Sequence, residues 1–396
     1  MNIAVVGKNY GDEGKGLAVA FLCHQSPNAL VVKHNGGGQA GHTVEMLSEN
    51  KRFIHHQIGS GAEFGARTLF SDSFHPDLFQ LGKEMDEFKK AFGFYPRLYS
   101  EKDTNITTID DVILNMAAES SRGDSRHGSC GMGINECFER LEKGYFLSME
   151  ELAENDSEWI YERLLFFREK YSLKRVQDLN IDSDNEYLPL LEDKILLRNF
   201  AKEIKENVKY LELVEAKESW LKQFDRIIFE SGQGLLLDFD YEENMPYLTP
   251  SKTGIHNPIN FLNQRNMSLD QVIYVTRAYV TRHGAGPLPC QINKEEIPKV
   301  EKDLTNEANE WQGEIRYARH ESFEKFFEAI KKDLGESETK KSLLITHLNE
   351  TDGLILFEKE AVSIDNFLER AGDKLDFLYY SYSRDSRDVI TCISPE

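Results

Sequence analysis

Short apolar runs rich in branched and aromatic residues recur along this chain, and each breaks off at once into a polar, glycine-bearing loop. That unit is the pattern of a strand ending at a ligand-binding sheet edge. Five units stand out: residues 3–6 into 7–16, 30–32 into 35–43, 226–229 into 231–234, 342–345 into 346–353, and 377–380 into 381–387. Helical patterns fill the gaps, notably over 76–92, 148–171, 194–224, 321–334 and 364–373. Together they predict an α/β fold: one large, mostly parallel central sheet with helices on both faces and a P-loop-like nucleotide-binding edge. A helical excursion is expected around 148–225, inside a single domain spanning 1–396. Within it Trp159, Phe166 and Phe167 read as core residues.

Composition narrows the chemistry. With 396 residues, 40% of them hydrophobic, the chain can bury a large core. No apolar run approaches the roughly eighteen residues of a membrane span, and Met1 leads straight into a strand, so the expectation is a cytoplasmic protein with no membrane partner. A net charge of −21 argues against a nucleic-acid surface, so an anionic ligand must be held locally. Five scattered cysteines form no CxxC pair; they read as small core residues rather than zinc ligands or a disulfide framework.

The first loop, "GKNYGDEGKG" (7–16), joins a strand to a helix. A Walker A loop would follow its lysine with Ser or Thr, but Gly16 follows Lys15. The glycines still let backbone N–H groups face a phosphate, and the helix start adds a positive end. Asp12 and Glu13 then need a reason, because carboxylates repel phosphate unless a divalent cation intervenes or the acid must take a proton. The next loop, "HNGGGQAGHT" (34–43), supplies His42 in a glycine-rich setting. If the first two strands are neighbours joined by one crossover helix, their loops lie side by side and Asp12 and His42 face one centre.

GDEGKG at 11–16 followed by AGHT at 40–43 resembles adenylosuccinate synthetase, the family that joins aspartate to inosine monophosphate (IMP) with cleavage of GTP. "HGSCGMGIN" (127–135), "FESGQGLLLDFD" (229–240), "PYLTPSKT" (246–253), "TRHGAGPLP" (281–289) and "WQGEIRYARH" (311–320) follow in the family's order. The resemblance implies that Asp12 takes the purine N1 proton, that His42 and Lys15 stabilise the transferring phosphoryl group, and that Gln233 holds the O6 side. It implies Mg²⁺ on Asp12 and the Gly41 carbonyl. Gly11, Asp12, Glu13, Gly14, Lys15, Gly16, Gly41, His42 and Thr43 would hold the donor phosphates, with His347, Asn349 and Ser383 toward its base. Gln39, Ser129, Cys130, Lys143, Gln233, Thr249, Arg282 and Arg316 would hold the purine monophosphate and aspartate, Lys143 from across a homodimer interface.

Five positions depart from the family pattern. Cys130 replaces a threonine, Lys143 an arginine, and Glu314 an arginine after Gly313. Where the family carries Lys-x-Asp for guanine, "LLITHLNETDG" has His347 and Asn349, and an amide cannot accept from both guanine N1–H and N2–H₂. ATP therefore stands beside GTP as donor. A modified or deoxy purine monophosphate stands beside IMP as acceptor, and a nucleotide sensor without catalysis is the reading from another class.

Overall fold

The computed structural model describes residues 1–123, 128–300 and 313–393. His127 of the third motif and Trp311 and Gln312 of the last lie outside the described residues.

Ten strands form one sheet. From one edge to the other they run Ile390–Ile393, Phe377–Tyr380, Lys340–Thr346, Gln271–Arg277, Asn2–Gly7, Arg226–Gly234, Ala29–Lys33, Arg67–Phe70, Leu98–Glu101 and Leu211–Val214. Every pair is parallel except the first, where Ile390–Ile393 runs against Phe377–Tyr380. The central strands are apolar at successive positions because both faces are covered. Ile3 and Val5 pack with the helix Lys15–His24, while Ala4 and Val6 enter the larger core on the opposite face. Ala29 and Val31 divide from Leu30 and Val32 in the same way.

One expectation about connectivity is corrected. The first and second chain strands are not neighbours: Arg226–Gly234 runs between them, parallel to both. The middle of the sheet is thus completed by a strand from the second half of the chain, which brings its own loop to the shared edge.

The helical excursion is more broken than periodicity suggests. Met149–Glu154 ends before Asp156, whose carboxylate caps a new helix, Ser157–Phe167, by accepting from Glu158 N at 3.1 Å and Trp159 N at 2.9 Å. Lys194–Asn207 stops short of the expected 224, and the chain re-enters the sheet as Leu211–Val214. Four residues carry too little pattern to separate the two periods, and parallel pairing with Leu98–Glu101 decides. Of the aromatic residues expected in the core, Phe167 is buried, but Trp159 and Phe166 are 37% and 46% exposed. Cys23 and Cys137 are buried; Cys130, Cys290 and Cys392 are half-buried, and all five are free thiols. No described helix is long and apolar enough to cross a membrane.

Candidate active site

The loop after the first strand resolves the puzzle of its two acids. Glu13 turns beneath the loop, 1% exposed, and accepts from Asn9 N at 3.0 Å, Gly11 N at 2.8 Å and Lys15 Nζ at 2.8 Å. Burial works against its charge, yet Lys15 and the backbone donors hold its pKa below the ordinary value. Asp12 takes the left-handed conformation, φ 62°, and lines the cavity. Its carbonyl accepts from Arg277 Nε at 2.6 Å, and Thr346 Oγ1 donates to the Glu13 carbonyl at 2.7 Å, so neighbouring strand ends clamp the turn. Glu13 shapes the loop and Asp12 faces the ligand space.

His42 opens the hairpin His42–Met46 with Lys51–His55. The helix Lys15–His24 starts directly against it: a Cβ on Gly16 would lie 3.0 Å from both His42 Cβ and the Thr43 carbonyl oxygen. Any side chain there would force the hairpin to give by a few tenths of an ångström. His42 Nδ1 lies 2.8 Å from Glu230 Oε1, and Glu230 also accepts from Lys33 Nζ and Ser60 N, each at 3.2 Å. Burial disfavours a charged Glu230, but Lys33 first, then His42 and Ser60, hold its carboxyl well below the usual range. Burial likewise pulls His42 down to about 4 against the pull of that carboxylate. An ionised Glu230 only accepts, so Nδ1 carries the proton. Nε2 is buried and finds no hydrogen-bond partner among the described residues.

A cavity of about 460 Å³ gathers most of the expected residues. Gly11, Asp12, Gly14, Lys15, Gly16, Gln39, Gly41, His42, Thr43, Ser129, Cys130, Gln233, Thr249, Arg282, His347, Asn349 and Ser383 all line it. Gln233 Oε1 is buried and has no partner among the described residues. Arg282 stacks on Tyr10, with its guanidinium carbon 4.5 Å from the ring centre, and burial lowers its pKa. Burial raises the Cys130 thiol, which is therefore no anion at neutral pH.

Glu13, Lys143, Glu314 and Arg316 are not in that lining. Lys143 is exposed at the end of the helix Ile134–Glu142, and Glu314 is exposed. Arg316 pairs in register with Arg282 and donates to the Gly284 and Gly286 carbonyls at 2.7 and 2.9 Å, bracing the loop that carries them. Among the described residues no three His, Cys, Asp or Glu side chains form a metal cluster. Mg²⁺ does not need one: it favours one or two carboxylates plus phosphate oxygens and water, and the Asp12 carboxylate with the Gly41 carbonyl fits that oxygen set.

A family model described as adenylosuccinate synthetase matches residues 4–321. The chain belongs to that family. Adenylosuccinate synthetases are ligases that form a C–N bond, and curated members are similar at modest identity. The Thermosipho africanus adenylosuccinate synthetase is 28% identical over 306 residues, 76% of this chain and 70% of that one. The Acinetobacter baylyi enzyme is 28% identical over 294 residues, 74% and 64% respectively, so the alignments span about two thirds of these relatives. A structure of fully ligated adenylosuccinate synthetase from Plasmodium falciparum superposes with a TM-score of 0.72 at 16% identity, covering 98% of this chain and 99% of that one. The cyanophage S-2L succinoaminodeoxyadenylate synthetase, bound to dGMP and to dATP as an energy donor, does so at 0.62 and 12% identity, covering 100% and 95%. These two likenesses show the adenylosuccinate synthetase fold.

Sequence reasoning misses several residues of this synthetase-type site. Glu230 sits inside an apolar strand run and gives no sign that it reaches His42. Asn115, Glu119 and Arg122 line the cavity from the helix Ile109–Arg122. Their spacing of four and three residues puts them on one helix face, which is the signal that was available.

Proposed function

We propose that this protein joins L-aspartate to a 6-oxopurine nucleotide, IMP in the leading reading, at the expense of a purine nucleoside triphosphate. The supporting observation is that Asp12, Lys15, His42 and Gln233 converge on one cavity at the carboxyl ends of the central strands. Asp12 takes the N1 proton, and the electron pair so released moves to O6. O6 attacks the terminal phosphorus as the bond to the diphosphate leaving group breaks. The amino group of aspartate then attacks C6 and expels phosphate, leaving the new C–N bond. Lys15 balances charge on the transferring oxygens, and the uncapped Gln233 amide oxygen orients the ring. His42 lines the same cavity; the negative charge of a phosphoryl group favours its protonated form, which donates. The Asp12 carboxylate and the Gly41 carbonyl would hold Mg²⁺, which when bound would neutralise further phosphate charge. This reading includes a homodimer and a cytoplasmic site of action.

Asn349 and His347 favour a second reading, in which the donor is ATP and the acceptor a deoxy or modified purine monophosphate. Both line the cavity where a guanine carboxylate partner is expected, and the cyanophage relative in fold is bound to dGMP and dATP. A matrix of IMP, dIMP, GMP and dGMP against GTP and ATP, with aspartate and Mg²⁺ and product mass as readout, separates the two. If no acceptor in the matrix elicits triphosphate cleavage, both readings are overturned and the sensor reading is left; cleavage that needs no acceptor overturns all three.

A further inference from the structure

The loop that carries Ser129 and Cys130 is already filled by an internal anion. Gly128 N and Ser129 N donate to Glu119 Oε2 at 3.1 and 3.4 Å, while Arg122 Nη1 holds Oε1. Ser129 Oγ donates to Asn115 Oδ1 at 2.9 Å, and Gly133 N donates to the same oxygen at 3.2 Å. Glu119 is 1% exposed and Asn115 5%, yet both border the cavity. Converging backbone N–H groups of this kind form a nest suited to an oxyanion. A carboxylate and a phosphate cannot occupy one nest together, because two anions in hydrogen-bond contact with the same donors repel at short range.

We propose that Glu119 is an internal stand-in for the acceptor's phosphate, displaced when the nucleotide enters, and so sets acceptor affinity. The inference rests on the reading of this cavity as a purine nucleotide site. Displacement keeps Glu119 on Arg122 and frees the two N–H donors, with Ser129 Oγ, for the ligand. Each acceptor therefore binds only the fraction of molecules whose nest is open, and its apparent Kd rises by the reciprocal of that fraction.

Calorimetric titration of the full chain with IMP, dGMP, inosine and inorganic phosphate tests this on the native protein, Glu119→Gln and Glu119→Asp. Glu119→Gln is expected to bind the favoured monophosphate about tenfold tighter, with inosine unchanged and inorganic phosphate raising Tm more than in the native protein. Glu119→Asp keeps the charge, withdraws it by one methylene, and falls between; it carries the test if the amide variant does not fold. Equal or weaker monophosphate binding in the variants, with inosine unchanged, overturns the proposal and makes Glu119 a scaffold for the loop. If neither nucleotide nor nucleoside binds any of the three proteins, the purine reading itself fails. The phosphate arm then still decides whether Glu119 competes for the nest, since equal stabilisation of all three overturns it.

Discussion

Two carboxylates one residue apart do opposite work in this chain. Asp12 is held at φ 62° and lines the cavity, whereas Glu13 is locked under the loop by two backbone donors and Lys15. Asp12→Asn therefore keeps the turn and the oxygen that faces the ligand but cannot take a proton. Turnover is expected to fall at least about a hundredfold while triphosphate binding, measured by titration, stays within a few fold. Glu230→Gln acts one step back from the chemistry. It removes the carboxylate that favours a protonated His42 and leaves Lys33 without its buried partner. The kcat is expected to drop about a hundredfold, with its alkaline limb moving to lower pH because the imidazolium is held less well. An unchanged pH profile would show that Glu230 serves packing alone. Asp12, Lys15 and His42 were legible in the sequence because glycine-rich loops advertise them. Glu230 was not: a charged residue in a buried strand is read as an edge or an error until its partners from two other segments are seen.

At the scale of elements, the five apolar runs that end in glycine-bearing loops are all strands of the sheet. Strands such as Arg67–Phe70 and Leu98–Glu101 were invisible because neither runs into a glycine-bearing loop. Neighbour relations were harder still, because no local pattern says that a strand beginning at Arg226 belongs between the first two. The helix Lys15–His24 and the hairpin that opens at His42 meet at Gly16, where a Cβ would come within 3.0 Å of His42 and Thr43. Gly16→Val is expected to cost about 1–3 kcal/mol in chemical denaturation through overpacking. It should also push His42 off Glu230, visible as a changed histidine resonance and lost activity. Retained activity in a folded Gly16→Val protein would show that the two elements tolerate separation.

At the scale of the whole molecule, burial leaves four histidines among the described residues poorly able to charge: His34 and His320 are pulled down to about 3, His42 and His75 to about 4. Each titrates near 6.5 in the unfolded chain. Their folded pKa values are depressed, so the stability they contribute is complete above about 6.5 and drains away as pH falls toward 4, while the unfolded state takes up protons. Buried carboxyls work the other way: burial pushes Asp333 up to about 6 and also raises Asp77, Glu101 and Asp110, which offsets part of the loss. Scanning calorimetry from pH 7.5 down to 4.5 is expected to show a steep loss of Tm. His34 has both ring nitrogens buried without partners among the described residues. Removing it as His34→Leu should flatten the acid slope by up to about 1.4 kcal/mol per pH unit; an unaltered slope would mean that His34 does not titrate on unfolding.

The strand Arg226–Gly234 has a consequence for synthesis. Glu230 meets His42 across 188 residues of chain. A polypeptide leaving the ribosome thus carries the 7–16 loop and His42 long before the wedge that separates and supports them exists. Until that wedge arrives, Asn2–Gly7 and Ala29–Lys33 present open edges in the middle of the future sheet, the kind of surface that recruits foreign strands. Nascent chains arrested before position 226 should accordingly be avid chaperone clients, whereas those arrested after the wedge has emerged should be released.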